Sequence, residues 1–199
     1  QPKHPHLNMG ERQIPFTKTI YIDATDYEIE PPAGYKRLSP NNPEIRLRNS
    51  YILKVSEHKT DDAGNVIELI ATIDEHTLGN NPEGRKVKGV IHWVSATHGV
   101  TALVRLYDHL LLEEDEIDAS LAQNALGADA DAFWINRHLN PNSLTVYQAV
   151  VEPDLAKAAA GERFQFERES YFIADSVEHT QSSPVFNQIV SLKDSFKPE

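Results

Sequence analysis

The 199 residues contain no cysteine. That absence removes disulfides, thiolate metal ligands and thiol nucleophiles together, and it fits a reducing compartment, so the cytoplasm is the expected setting. Long apolar runs are missing too. No stretch approaches the roughly 20 apolar residues that cross a bilayer as a helix, so no membrane is expected as a partner. The opening "QPKHPHLNMG" lacks the apolar centre of a secretory signal. It also starts without methionine, on an extended segment bearing Pro and His, and reads as the continuation of a longer protein. Basic charge is scarce, with 19 Lys and Arg against 30 Asp and Glu and a formal net charge of −11. Such a balance argues against bulk attraction to nucleic acid, where neutralisation of phosphates by Lys and Arg dominates.

Catalytic sets are missing in the same way. Nine histidines are present, but His92 and His98 flank a strand end and His4 and His6 sit in the N-terminal tail. Without cysteines or a helical His pair, no metal site is expected. His92 reads as a core-edge histidine beside Trp93. There is no Gly-rich phosphate loop, no Gly-x-Ser-x-Gly elbow and no paired dinucleotide glycines. The many acids have no spacing that marks a catalytic pair. These residues are expected to be non-catalytic and to carry no cofactor.

What is present is unevenly charged and mostly strand-forming. Residues 33–112 hold ten Lys or Arg against nine acids, while the remainder holds nine against twenty-one. That asymmetry is the pattern of a basic surface on an acidic body, and it is also one that many solvated surfaces share. Length supports one large or two small cores, and two small domains are expected. The dominant apolar period is two. From residue 45 the odd positions read Ile45, Leu47, Asn49, Tyr51, Leu53 and Val55, and the even ones Arg46, Arg48, Ser50, Ile52, Lys54 and Ser56. A single strand there places Arg46 and Arg48 on the face turned from the core. "KTDDAGNV" supplies turn chemistry before "VIELIATID", so 45–73 reads as a hairpin. Further strands are expected at 19–23, 87–95, 101–107, 143–151, 162–175 and 185–194. Helices are expected only at 115–126 and at 153–161, the second between Pro153 and Gly161. Many short strands between Pro, Gly, Asn and Asp clusters predict an all-β fold of sandwich or barrel type. The composition breaks at "EIEPPAGY" (28–35) and at the acidic run beginning "EEDEID" (113–118).

The remaining chemistry is a set of planar donors: Arg37, Arg46, Arg48, Gln165 and Arg168. A guanidinium matches phosphates and base edges, and a carboxamide adds a donor and an acceptor in one plane. Proteins that read single-stranded loops splay bases onto β-surfaces with aromatic or guanidinium stacking. Tyr35, Tyr51, Phe164 and Phe166 are the aromatic neighbours. Exposed arginines on strands also serve solubility and edge protection.

The stretches "NMGERQIPF", "YKRL", "EIRLRNSYI", "GRKVKGVIHWVSATH", "VRLYDHL", "FQFERESYF" and "SSPVFNQIVSLKDSF" are spread along the chain from Asn8 to Phe196. They resemble the C-terminal anticodon-binding region of bacterial-type glutaminyl-tRNA synthetase, a class I aminoacyl-tRNA synthetase. Anticodon domains of related glutamyl-tRNA synthetases are the nearest alternative. An alternative of another class is a non-catalytic β-barrel that holds a basic protein on its acidic surface.

The resemblance implies two tandem β-barrels with few short helices, the distal barrel (33–111) inserted in the proximal one (1–32 plus 112–199). It implies that the barrels grip the anticodon loop of tRNA(Gln). The parent enzyme would be a monomeric ligase that joins glutamine to its tRNA using ATP with Mg, in a catalytic domain N-terminal to these residues. Carried over by position, "YKRL" places Lys36 near a backbone phosphate and Arg37 at the third anticodon base. "EIRLRN" places Arg46 and Arg48, with Asn49 beside them, at the first base. "FQFERE" places Gln165 at the central uridine with Arg168 close by. Three features depart from the pattern. Gly34 stands where a glutamine is expected, Pro40 and Pro43 lie in a longer connection, and the 113–133 segment is longer. Gln165 and Arg168 are also three apart and cannot share one face of a regular strand, so a bulge or turn intervenes or one of them points elsewhere.

Overall fold

Alternating apolar residues form strands wherever one face can be covered. The computed structural model describes Lys3, His6, Asn8 and residues 10–112 and 138–192, and eleven strands form among them. The expected helix at 115–126 and the acidic 113–133 segment lie outside the described residues. The complete helical segments within them are 3₁₀ turns, at Ala24–Asp26, Glu75–Thr77 and Pro153–Lys157. The fold is all-β, as expected. No helix among the described residues is long and apolar enough to cross a membrane.

Contacts divide the chain into two units, Gln1–Val100 with Val150–Asp154, and Thr101–Ala149 with Leu155–Glu199. In the first, β1 (Ile20–Tyr21) pairs antiparallel with β6 (Val94–Ser95). A four-stranded sheet runs β4 (Val66–Asp74), β3 (Ile52–Thr60), β2 (Glu44–Leu47), β5 (Val90–Ile91). β2 is antiparallel to β3 and parallel to β5. Its inward residues Ile45 and Leu47 have no exposed surface and join Tyr27, Leu38, Val55, Ile91 and Trp93 in one core. Each such side chain contributes on the order of 1.5–3 kcal/mol by leaving water.

The expected single strand over 45–55 is two strands. Ser50 N–H donates to Leu47 C=O at 2.9 Å, closing a turn with Arg48 and Asn49 at its centre. Asn49 has φ +55°, at a turn position that favours Gly or Asn. The turn changes the phase of burial, so Ile52, on the polar side of the expected strand, is inside. Arg46 therefore lies on a strand and Arg48 on the turn that follows it. Likewise, 87–95 holds two short strands, β5 and β6, rather than one.

The second unit is built on a five-stranded sheet ordered β8 (Leu144–Val151), β7 (Val100–Tyr107), β11 (Val185–Ser191), β10 (Ser170–Ala174), β9 (Arg163–Phe166). β7 and β11 are parallel and the β9–β10–β11 ladder is antiparallel. Ala102, Val104, Phe172, Ala174, Val185 and Phe186 are buried. The expected strand over 162–175 is the hairpin of β9 and β10, with Glu169 N–H donating to Phe166 C=O at 3.0 Å across the turn. The expected helix over 153–161 is only the five-residue turn Pro153–Lys157. Its last turn cannot propagate, because His179 Nε2 lies 3.1 Å from the Ala158 carbonyl oxygen and Gly161 N–H donates to Ala174 C=O at 2.9 Å. The contact boundaries also fall elsewhere than the implied 32–33 and 111–112. β1, which those bounds group with 112–199, pairs with β6 inside the first unit. The strand pairings among the described residues order these ladders into sheets of two and four strands in the first unit and of five in the second.

Candidate nucleic-acid interface

Lys36 and Arg37 follow a turn in which Tyr35 N–H donates to Pro32 C=O at 3.1 Å. Gly34 is its third residue, with φ +84°, a conformation that a type II turn requires there and that glutamine adopts only with strain. Leu38 then bridges to Tyr27, with Leu38 N–H donating to Asp26 C=O at 3.0 Å. This pairing brings Arg37 Nη1 to 3.0 Å from Asp26 Oδ1. Asp26 has no exposed side-chain surface, whereas Arg37 is 40% exposed. Arg37 is thus first the counter-ion of a buried carboxylate, which without compensation would be costly. The Arg37 Nη1 group also lies 3.3 Å from Thr25 O and Oγ1, and Tyr35 Oη donates to Thr25 O at 2.9 Å. Lys36 is exposed.

Arg46, Arg48 and Asn49 are brought together. With Leu78, Asn81 and Val90 they line an open cleft of about 570 Å³ in the first unit. Trp93 Nε1–H anchors the Arg48–Asn49 turn from the core side by donating to Arg48 C=O at 3.0 Å. Leu78 and Val90 are exposed at 52% and 39%. A cleft with apolar walls and guanidinium donors suits a planar ring with a polar edge. A second cleft, about 330 Å³, shares Arg46 and Asn81 with the first and adds Arg85 and Lys86. Arg85 bridges Glu44 at 3.0 Å and Asp74 at 2.7 Å. Its hydrogen bond is the main reason that the Asp74 carboxyl sits below the usual range. Lys36 and Arg37 line neither cleft.

Gln165 and Arg168 lie in the second unit. A turn separates them, which resolves their unequal parity: Gln165 is exposed on β9, and Arg168 is in the turn with φ +68°. Phe164 and Phe166, read from the sequence as stacking candidates, pack inward. Phe164 meets Phe186 at 5.9 Å, and Phe166 meets Phe172 at 4.4 Å and Phe186 at 5.3 Å between ring centroids. Tyr51 is in edge contact with Phe16. An exposed aromatic on this sheet is Tyr171, directly opposite Gln165 in the β9–β10 register and 42% exposed. Sequence reasoning missed Tyr171, although its alternation with Phe172 signals it. It also missed Leu78 and Asn81, for which "TLGNNP" signals a turn but not a neighbour. His92 is half-buried as expected, and its Nε2 lies 2.7 Å from Asp23 Oδ2.

A β-sheet scaffold thus gathers guanidinium and carboxamide groups around an open, partly apolar cleft, an arrangement of the kind that proteins reading single-stranded bases use. Two family models, both described as "tRNA synthetases class I (E and Q), anti-codon binding domain", match residues 1–74 and 90–175. The chain belongs to that family. It is 50% identical over 98% of its length to a glutamine–tRNA ligase of Stutzerimonas stutzeri (strain A1501). It is 48% identical over 98% of its length to the glutamine–tRNA ligase of Neisseria meningitidis serogroup A / serotype 4A. The chain spans about a third of the length of these curated relatives, 33% and 34%.

Proposed function

We propose that this chain is the anticodon-recognition part of a glutamine–tRNA ligase and that its ligand is the anticodon loop of tRNA(Gln). The observation that carries this is the cleft that collects Arg46, Arg48 and Asn49 beside Leu78 and Val90 in a chain of net charge −11. Bulk charge does not draw RNA to such a chain, so local donors must do so. The cleft takes the first anticodon base and Arg37 meets the third. Gln165 meets the central uridine beside Tyr171, with Arg168 close by, and Lys36 meets backbone phosphate. A bidentate contact of this type is worth on the order of 1–3 kcal/mol of discrimination. The parent ligase would use ATP with Mg in its catalytic domain, act as a cytoplasmic monomer, and attach glutamine only when the anticodon fits.

A filter-binding titration tests the reading, using RNA stem-loops with CUG, UUG or scrambled anticodons at several salt concentrations. The CUG and UUG loops should bind more tightly, and log K should fall with log salt by roughly 0.7 per phosphate contact. Equal binding of all loops, or capture of a basic protein in place of RNA, would reject it.

A further inference from the structure

The Arg46 guanidinium is already engaged with its own chain. Its Nη1 donates to Ser50 C=O at 3.0 Å and to Thr77 C=O at 2.9 Å, and its Nη2 donates to Asn80 C=O at 2.6 Å. Three of the five N–H donors of a guanidinium are thereby engaged with backbone oxygens. Ser50 belongs to the turn after β2, while Thr77 and Asn80 belong to the turn after β4. The rigid fork fixes these two turns against each other. Thr77 holds the second turn from beneath. It is buried, its Oγ1 donates to Asp74 C=O at 2.6 Å, and the same oxygen accepts from Ile52 N–H at 2.8 Å. Asn80 N–H closes the turn on Thr77 C=O at 3.2 Å. Leu78, Gly79, Asn80 and Asn81 of this turn line the cleft together with Arg48 and Asn49.

We propose that Arg46 is a positioning residue whose guanidinium holds the Thr77–Asn81 turn as the second wall of the cleft, and that Asn81 on this wall is a specificity-determining contact for the ring the cleft takes. Arg48 and Asn49 supply the facing wall, and Leu78 supplies an apolar surface for the face of the ring. The identity of the ring as the first anticodon base rests on the function proposed above. The clamp itself does not.

The test uses the 199-residue chain and its variants Arg46→Lys, Arg48→Lys and Asn81→Ala, with two readouts. The first is amide hydrogen exchange at residues 75–81 without RNA. The second is titration with stem-loops that differ only at the first anticodon base. Lysine keeps the charge and loses the fork. Arg46→Lys should raise exchange at 75–81 by about tenfold or more, and cut first-base discrimination by a similar factor with the salt slope unchanged. Arg48→Lys should leave the exchange as it was. Asn81→Ala should relax first-base discrimination with exchange unchanged. Unaltered exchange in Arg46→Lys overturns the clamp. Retained discrimination in Asn81→Ala overturns the specificity role. A wild-type chain blind to the first base, with exchange still raised in Arg46→Lys, overturns the anticodon reading and the ligand named here while leaving the clamp standing.

Discussion

Replacing Arg37 with alanine should damage the fold before it damages recognition. The Asp26–Arg37 pair is lopsided: Asp26 has no exposed side-chain surface, and Arg37 is 40% exposed. Truncating one partner of a fully buried pair costs about 3–5 kcal/mol, because the other charge is left in the interior. Here the guanidinium side is open, so water can follow the truncation and recover part of that loss. The expected cost is about 2 kcal/mol. For a chain of this size that lowers Tm by roughly 4–8 °C. Asp26→Asn removes the buried charge that Arg37 faces, so Arg37→Ala in that background should cost less than about 1 kcal/mol. Urea unfolding of the four members of the cycle at neutral pH measures the coupling. If Arg37→Ala costs the same in the wild-type and Asp26→Asn backgrounds, the counter-ion argument is wrong. The cycle also decides how RNA binding is read. Base readout requires that Arg37→Ala, compared within the Asp26→Asn background, weaken the cognate anticodon more than scrambled ones. A uniform loss assigns Arg37 to phosphate or to the scaffold alone.

Acid should weaken the second unit through Asp175. Its carboxyl is held at about 2, below the ordinary 3.8, by the Glu178 and Val177 amides first and then by Asn187 Nδ2. A depressed carboxyl stabilises the fold fully above its unfolded pKa. That contribution, about 1–2 kcal/mol, is lost as pH falls from about 4 through 2. Denaturation midpoints measured between pH 5 and 2 should therefore drop less steeply in Asp175→Asn than in the wild type, and parallel curves would refute the assignment. In the first unit, a Cβ on Gly99 would lie 2.5 Å from Val150 Cγ1 and 2.7 Å from Ser95 O. The Ser95 oxygen cannot retreat easily, since it already accepts the Gly99 N–H at 2.8 Å. Gly99→Ala should cost on the order of 1–3 kcal/mol in thermal or urea unfolding, and an unchanged midpoint would show that the region repacks freely.

The strands were legible because alternation is a local property. Val100–Tyr107, Leu144–Val151 and Val185–Ser191 lie close to the expected spans. Turns inside alternating runs were less legible. A two-residue turn centred on Arg48 and Asn49 interrupts the pattern for only one step, and the sole sign of it was Ile52 among polar positions. The β9–β10 turn was foreshadowed by the three-residue gap between Gln165 and Arg168. Pro153–Lys157 stops short of a helix because carbonyl and amide groups beyond it are taken by His179 and Ala174. No local pattern announces partners that distant. The same limit applies to the candidate site. Arg46, Arg48 and Asn49 are neighbours in sequence and meet in one cleft, but the wall formed by Leu78 and Asn81 arrives from about thirty residues away. The partner of Arg37 was equally hidden, since one buried acid among 30 acids carries no mark in the sequence.

The acidic excess and the proposed anionic ligand are reconciled by where the acids sit. Asp26 orients Arg37, Glu44 and Asp74 hold Arg85, and backbone oxygens hold Arg46. An arginine side chain carries about 2 kcal/mol of rotamer entropy, and a guanidinium already fixed by its own chain loses little of it on meeting a ligand. Attraction from a basic surface would favour every RNA alike, and at physiological salt it fades over about 8 Å. Donors fixed in advance favour only the loop whose bases match their spacing. Under the proposed function, a net negative body would therefore lower the affinity for all RNAs together and leave the difference between right and wrong anticodons intact. That difference, rather than the affinity itself, is what choosing one tRNA among many requires.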